Sequence, residues 1–127
     1  MTATIYVDDG TELIVDRADG TATATTDYIG WGTGGSSTGG TATNTDSALR
    51  AEATQARVLA TRSQPSADTN QWLATITHDG PTGSKTIEEA GIFTTTTGGT
   101  MIIRASHGGV VLATDDAIQY TFTLQQT

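Results

Sequence analysis

Ala117-Ile118-Gln119-Tyr120-Thr121-Phe122-Thr123-Leu124-Gln125 decides the fold class, because its polarity alternates without a break. Ile118, Tyr120, Phe122 and Leu124 fall on one side and Thr121, Thr123 and Gln125 on the other. Successive side chains of a strand point to opposite faces, so the run reads as a strand with one side buried and one side wet. On a helix the same four apolar residues would scatter around the axis. Residues 71–77 repeat the pattern, with Trp72, Ala74 and Ile76 on one face and Leu73 on the other.

Working outward, further short apolar runs are separated by turn residues. Residues 85–94 carry Ile87, Ala90, Ile92 and Phe93, and Gly98-Gly99 forms a hairpin turn into residues 101–105. His107-Gly108-Gly109 reads as the next turn, residues 110–113 as a short strand, and Asp115-Asp116 as the turn before the last strand. Residues 56–63 (with Val58 and Leu59) are extended, and Asp79-Gly80-Pro81 closes the strand that carries Trp72. Near the start, residues 2–7 and 12–16 flank Asp8-Asp9-Gly10, which predicts an N-terminal hairpin or arm over residues 1–20. Residues 21–31 alternate Thr with Ala and then reach Tyr28, Ile29 and Trp31, a third strand. Residues 32–45 are almost wholly Gly, Ser and Thr and read as a long mobile loop. Residues 46–55 are the helix candidate, at one or two turns. The expected fold is therefore all-β: a single-domain antiparallel β-sandwich, jelly-roll-like or Ig-like, with about eight short strands and at most one short helix.

Composition agrees. The chain has 127 residues, which suits one domain with a modest core, and Thr supplies about a fifth of them. Fourteen acidic groups against six basic ones give a net charge of −8, a surface that repels phosphate backbones, so no nucleic-acid partner is expected. The single lysine also suits a high-salt setting or a high-GC genome. There is no cysteine, so disulfides and thiolate metal sites are excluded. No apolar run approaches the ~18 residues of a membrane span, and the N-terminus lacks the basic start and apolar core of a signal peptide.

Four constellations invite chemistry, and each has a plainer reading. Gly30-Trp31-Gly32-Thr33-Gly34-Gly35 fits a dinucleotide-binding glycine pattern, but no helix follows to receive a pyrophosphate. The glycines are read instead as letting the backbone bend beside Trp31. His78-Asp79 and Ser106-His107 lack the geometry of a hydrolytic triad and read as solvated turn residues. The doublets Asp8-Asp9, Glu88-Glu89 and Asp115-Asp116 could offer oxygens to Ca²⁺ but lack the spaced calcium-loop pattern, and read as turn and solubility residues. Trp31, Trp72, Tyr28, Tyr120, Phe93 and Phe122 could stack on sugars, though their spacing is that of a core. No catalytic, cofactor-binding or metal-binding residue is assigned.

Residues 27–125 resemble a group of tailed-virus structural proteins (bacteriophage or archaeal virus). The resemblance is carried by Tyr28-Ile29-Gly30-Trp31-Gly32-Thr33-Gly34, by Asp46-Ser47-Ala48-Leu49-Arg50-Ala51-Glu52 and by Arg57-Val58. It continues through Ile87-Glu88-Glu89-Ala90-Gly91-Ile92-Phe93, Gly98-Gly99-Thr100-Met101-Ile102-Ile103-Arg104-Ala105 and Asp115-Asp116-Ala117-Ile118-Gln119-Tyr120-Thr121-Phe122. The match rests on the set rather than on any one motif. The resemblance implies a non-enzymatic virion protein of the head-decoration or tail-fibre type, without catalytic residues or cofactors. A capsid decoration (cement) protein is the first expectation, bound to the major capsid protein and self-associating as a homotrimer. A tail-fibre or receptor-binding module is the second, and a carbohydrate-binding domain the third. The candidate contact residues are Ile5, Tyr6, Val7, Leu13 and Ile14 in the N-terminal segment, and Trp31, Thr33, Ser36 and Thr38 around the glycine-rich loop.

Overall fold

The computed structural model describes residues 3–20, 26–35, 40–80 and 83–125. Among the described residues, eight strands form two antiparallel sheets, accompanied by a single helix, so the all-β, sandwich-like expectation holds. The strands are β1 (Ala3–Tyr6), β2 (Tyr28–Gly32), β3 (Val58–Leu59), β4 (Thr61–Ser66), β5 (Thr69–Thr77), β6 (Lys85–Phe93), β7 (Met101–Leu112) and β8 (Ala117–Gln125). The helix, α1, is Asp8–Asp19. The larger sheet runs β1-β7-β6-β2-β3 and the smaller one β4-β5-β8. The chain steps from one sheet to the other at Ala60, whose N–H donates to the Asp27 carbonyl.

The alternating segments built the sandwich as read. β5 and β8 pair from Thr69↔Gln125 to Thr77↔Ala117, which sets Trp72 opposite Phe122 and Ile76 opposite Ile118. Trp72, Ala74, Ile76 and Phe122 are buried, and they meet Ile29, Trp31, Ile87, Ala90, Ile92, Ile103, Ala105 and Leu112 of the larger sheet. Each large side chain so buried contributes roughly 1.5–3 kcal/mol, so this shared core is the main source of stability.

The larger sheet is covered on its second face too. β6 is buried without interruption from Ile87 to Phe93, the pattern of a central strand with both faces covered. Phe93 and Met101 pack with Val7 and Leu49 in a second apolar cluster, beneath irregular chain 40–57.

Three expectations are corrected. The N-terminal hairpin is a strand followed by a helix: Asp8-Asp9-Gly10 opens α1 rather than turning back. Acidic Asp8 and Asp9 in its first turn and Arg17 in its last complement the helix dipole, and Gly20 (φ +83°) ends it with its N–H on the Arg17 carbonyl. Gly10, Leu13, Ile14 and Arg17 recur at helical spacing, and Gly10 is buried against Ile102 of β7. Residues 3–20 are thus packed into the domain rather than forming a separable arm, since Val7 is fully buried and its N–H donates to the Ile102 carbonyl.

Residues 46–55 form turns and an isolated bridge between Glu52 and Gly32, not a helix. His107-Gly108-Gly109 does not end the strand either; β7 continues through it with a bulge that shifts the register between Glu89↔Ser106 and Ile87↔Val110, and pairs with β6 as far as Lys85↔Leu112. The turns at Gly98-Gly99 and Asp115-Asp116 stand, with positive φ at Gly98, Gly99 and Asp115.

Candidate functional site

Three arginine clusters organise the surfaces around the core. In the first, Arg104 of β7 is 2% exposed and Glu89 of β6 is fully buried. They share one face because Gly91 pairs with Arg104 and Glu89 with Ser106. Arg104 donates to Glu89 Oε1 (2.9 and 3.1 Å), to Asp46 Oδ2 (2.9 Å) and to the carbonyls of Gly34 (2.8 Å) and Gly40 (2.7 Å). Glu89 in turn accepts the N–H groups of Gly34, Arg50 and Ala51 at 2.7–3.0 Å. A buried ion pair is tolerable only when its remaining donors and acceptors are satisfied, and here backbone supplies them. The result is that two loops are tied to the sheet by charge.

Asp46 closes the set. Burial pushes its carboxyl up, but hydrogen bonds from Thr43 and Arg104 and the charge of Arg104 outweigh that and hold it below its ordinary value. Gly32 is required on this face, because a Cβ there would overlap the Ala51 carbonyl and the Glu89 carboxylate. The glycine pattern 30–35 is therefore a flat seat for chain 50–57 rather than a sharp bend beside Trp31, whose ring faces the opposite, sandwich side.

The second cluster surrounds Asp27, which is fully buried. Arg17 of α1 grips it through two hydrogen bonds (2.7 and 3.2 Å), Trp72 Nε1–H donates to it at 2.9 Å, and Arg62 of β4 stands 3.8 Å away. This cluster joins helix, larger sheet and smaller sheet. In the third, Arg57 is bidentate on Glu52 (2.7 and 2.8 Å), donates to the Thr95 and Gly98 carbonyls, and lies 3.5 Å over the Phe93 ring.

The histidines and the Glu88-Glu89 doublet differ from expectation, whereas Asp115-Asp116 are exposed turn residues as read and Asp8-Asp9 are exposed at the start of α1. His78 is not solvated but fully buried; its Nε2–H donates to the Gly83 carbonyl at 2.6 Å, while Nδ1 has no partner. Ser106 is 1% exposed and its Oγ accepts the Ala42 N–H. His107 Nδ1 is 2.8 Å from the Gly108 carbonyl, which leaves the Nε2 lone pair to accept the Tyr120 hydroxyl at 2.9 Å when the ring is neutral. Burial, and secondarily the charge of Glu89, pushes the Tyr120 phenol well above its ordinary value, so it stays a donor at neutral pH. Glu88 and Glu89 are buried at 4% and 0% rather than solubilising. Among the described residues, no group of three or more His, Cys, Asp or Glu side chains stands where it could hold a metal ion.

Of the candidate contact residues, Val7 and Trp31 are buried in the core, Ile5, Tyr6 and Leu13 are half-buried against it, Ile14 is half-buried and lines the cleft beside Arg17, and Thr33 is exposed. Ser36 and Thr38 lie outside the described residues. The sugar-stacking platform is not formed: Trp31, Trp72, Phe93 and Phe122 are each at most 3% exposed. What sequence reading missed is the end of the β6–β7 ribbon. Val110 and Val111 are 40% and 67% exposed, although consecutive strand residues point to opposite faces. The neighbouring Ile87 and Leu112 are buried in the core, so the two valines form an exposed apolar step at the edge of the ribbon. β1 pairs with β7 only over residues 103–106, so among the described residues Val110–Leu112 is paired on one side, by Lys85–Ile87 of β6.

Such an end can accept a further strand or an apolar surface, and the arginine clusters keep the rest of the molecule rigid behind it. No protein-family model matches the chain, and no curated protein matches it. Nor is any helix among the described residues long and apolar enough to cross a membrane.

Proposed function

We propose that this chain is a non-enzymatic virion structural protein: a capsid decoration protein that binds the major capsid lattice as a homotrimer and stabilises the head. The observation that carries the reading is the end of the β6–β7 ribbon, where Val110 and Val111 are exposed beside a strand edge that is open among the described residues. Monomeric proteins usually blunt such edges with charge, proline or a covering loop, and an uncovered apolar one marks a contact. The resemblance of residues 27–125 to tailed-virus structural proteins supports a virion setting for that contact. Loops fastened by buried Arg104–Glu89 and Arg17–Asp27 pairs suit a part that must keep its shape on a particle.

Copy number in purified particles tests the reading. Hundreds of copies per particle are expected from quantitative mass spectrometry against the major capsid protein. A few copies, or tens, would transfer the chain to the tail, as a fibre or receptor-binding module; none would remove it from the virion.

A further inference from the structure

From the Asp27 cluster we infer a binding site for a carboxylate-bearing sugar, such as a hexuronate or a sialic acid, in the cleft between α1 and strands β4 and β5 of the smaller sheet. The cleft measures about 380 Å³ and is lined by Arg17, Arg62, Ser63, Asn70, Gln71 and Trp72, among others. Its size falls within the roughly 300–1,000 Å³ typical of small-ligand sites.

Charge is the first argument. The chain carries −8 overall, yet two guanidinium groups here face one carboxylate. Both Asp27 oxygens are already engaged, Oδ1 by Arg17 and Oδ2 by Arg17 and Trp72. Arg62, 43% exposed and 3.8 Å from Oδ2, is beyond hydrogen-bond distance of it, so its planar donor fork remains available to a second carboxylate.

The second argument is a donor without an acceptor. Arg17 Nε is buried and has no hydrogen-bond partner, a deficit that native interiors rarely leave without a reason. The third is the wall. Ser63, Asn70 and Gln71 supply hydroxyl and amide groups that both donate and accept, the chemistry that matches adjacent sugar hydroxyls. Trp72 is only 3% exposed, so recognition rests on the carboxylate and hydroxyls and not on ring stacking.

The site is independent of the exposed end of the β6–β7 ribbon and of the proposed place in a particle. It is tested by ¹H–¹⁵N correlation spectra that follow the Arg17 Nε–H and Trp72 Nε1–H signals during titration with glucuronate and, separately, N-acetylneuraminate. Saturable shifts of both signals are expected with at least one of the two acids. Acetate should bind at least about tenfold more weakly and glucose should leave both signals in place, because each lacks half of the recognition. Arg62→Gln should weaken binding by about 10- to 100-fold while melting as the parent does, since the side chain is largely exposed. Absence of saturable shifts with both acids, equal binding of glucose, or an unchanged affinity in Arg62→Gln would overturn the site. A glutamate-rich peptide binding as tightly as the better sugar acid would overturn its assignment to sugars.

Discussion

Replacing Arg104 by methionine is expected to cost about 3–5 kcal/mol of unfolding free energy, the usual penalty for stripping one partner from a buried ion pair. Glu89 would remain as an uncompensated charge at 0% exposure, and the Gly34 and Gly40 carbonyls would lose their donor. Against a typical domain stability of about 5–15 kcal/mol, this single change consumes a large share. Arg104→Lys keeps the charge but cannot span four acceptor groups with a guanidinium's fixed geometry, so an intermediate loss is expected. Urea denaturation gives both values, and a loss below about 1 kcal/mol for the methionine variant would mean that the network is not holding the loops.

The same variant has a pH signature. The Asp46 carboxyl is depressed in the folded state, so its contribution is full above the ordinary carboxylate value and is lost as pH falls through the lower, folded value. Without Arg104 two causes of that depression, its hydrogen bond and its charge, are gone, and the fall in stability with acid that belongs to Asp46 should be shallower. Melting temperatures of parent and Arg104→Met between neutral and strongly acidic pH compare the two slopes.

Gly10→Ala is the second large effect, and its sign is the informative part. Alanine in a helix interior normally stabilises by about 1 kcal/mol relative to glycine. Gly10, however, lies against β7, where an added Cβ would overlap the backbone carbonyl and Cα of Ile102. Backbone cannot swing aside as a flexible side chain can, so α1 must lift. Overpacking of this kind costs about 1–3 kcal/mol, and the net change should be destabilising. Lifting α1 also draws Arg17 from Asp27, so the Trp72 indole N–H, bonded to the same carboxylate, should report the change. A rise in melting temperature would show that the helix does not sit on the sheet as described.

Much of the fold was legible because two of its strands carry one wet and one greasy side. Residues 71–77 and Ala117–Gln125 alternate cleanly and became the paired strands β5 and β8. Gly98-Gly99 fixed the β6–β7 hairpin through backbone conformations that glycine adopts readily. The helix was misread because Asp-Gly is a strong hairpin signal and Gly10 a poor helix former. Its start and stop signals were nevertheless present, in Asp8 and Asp9, Arg17 and the left-handed Gly20.

The arginine clusters were harder to see. Arg104 is 15 residues from Glu89 and 58 from Asp46, so only the sheet register brings them together. One clue was available: Glu88-Glu89 interrupt an otherwise apolar run, Ile87 to Phe93, and acids inside a buried strand need a cation. The exposed ribbon end was hidden because His107-Gly108-Gly109 looks like a turn, whereas glycine also marks a bulge inside a continuing strand, here with Gly109 close against Thr86 of β6.

The most direct test of the proposed contact is rebinding to particles from which the chain has been stripped. Parent protein and a Val110→Asp/Val111→Asp variant, both on exposed positions and expected to melt alike, are added at equal concentration and the bound copies counted. The account predicts that the parent restores full occupancy and the variant less than about a tenth of it, since two added charges would have to be desolvated at the contact. Equal occupancy by the two would place the contact elsewhere on the molecule and contradict the account.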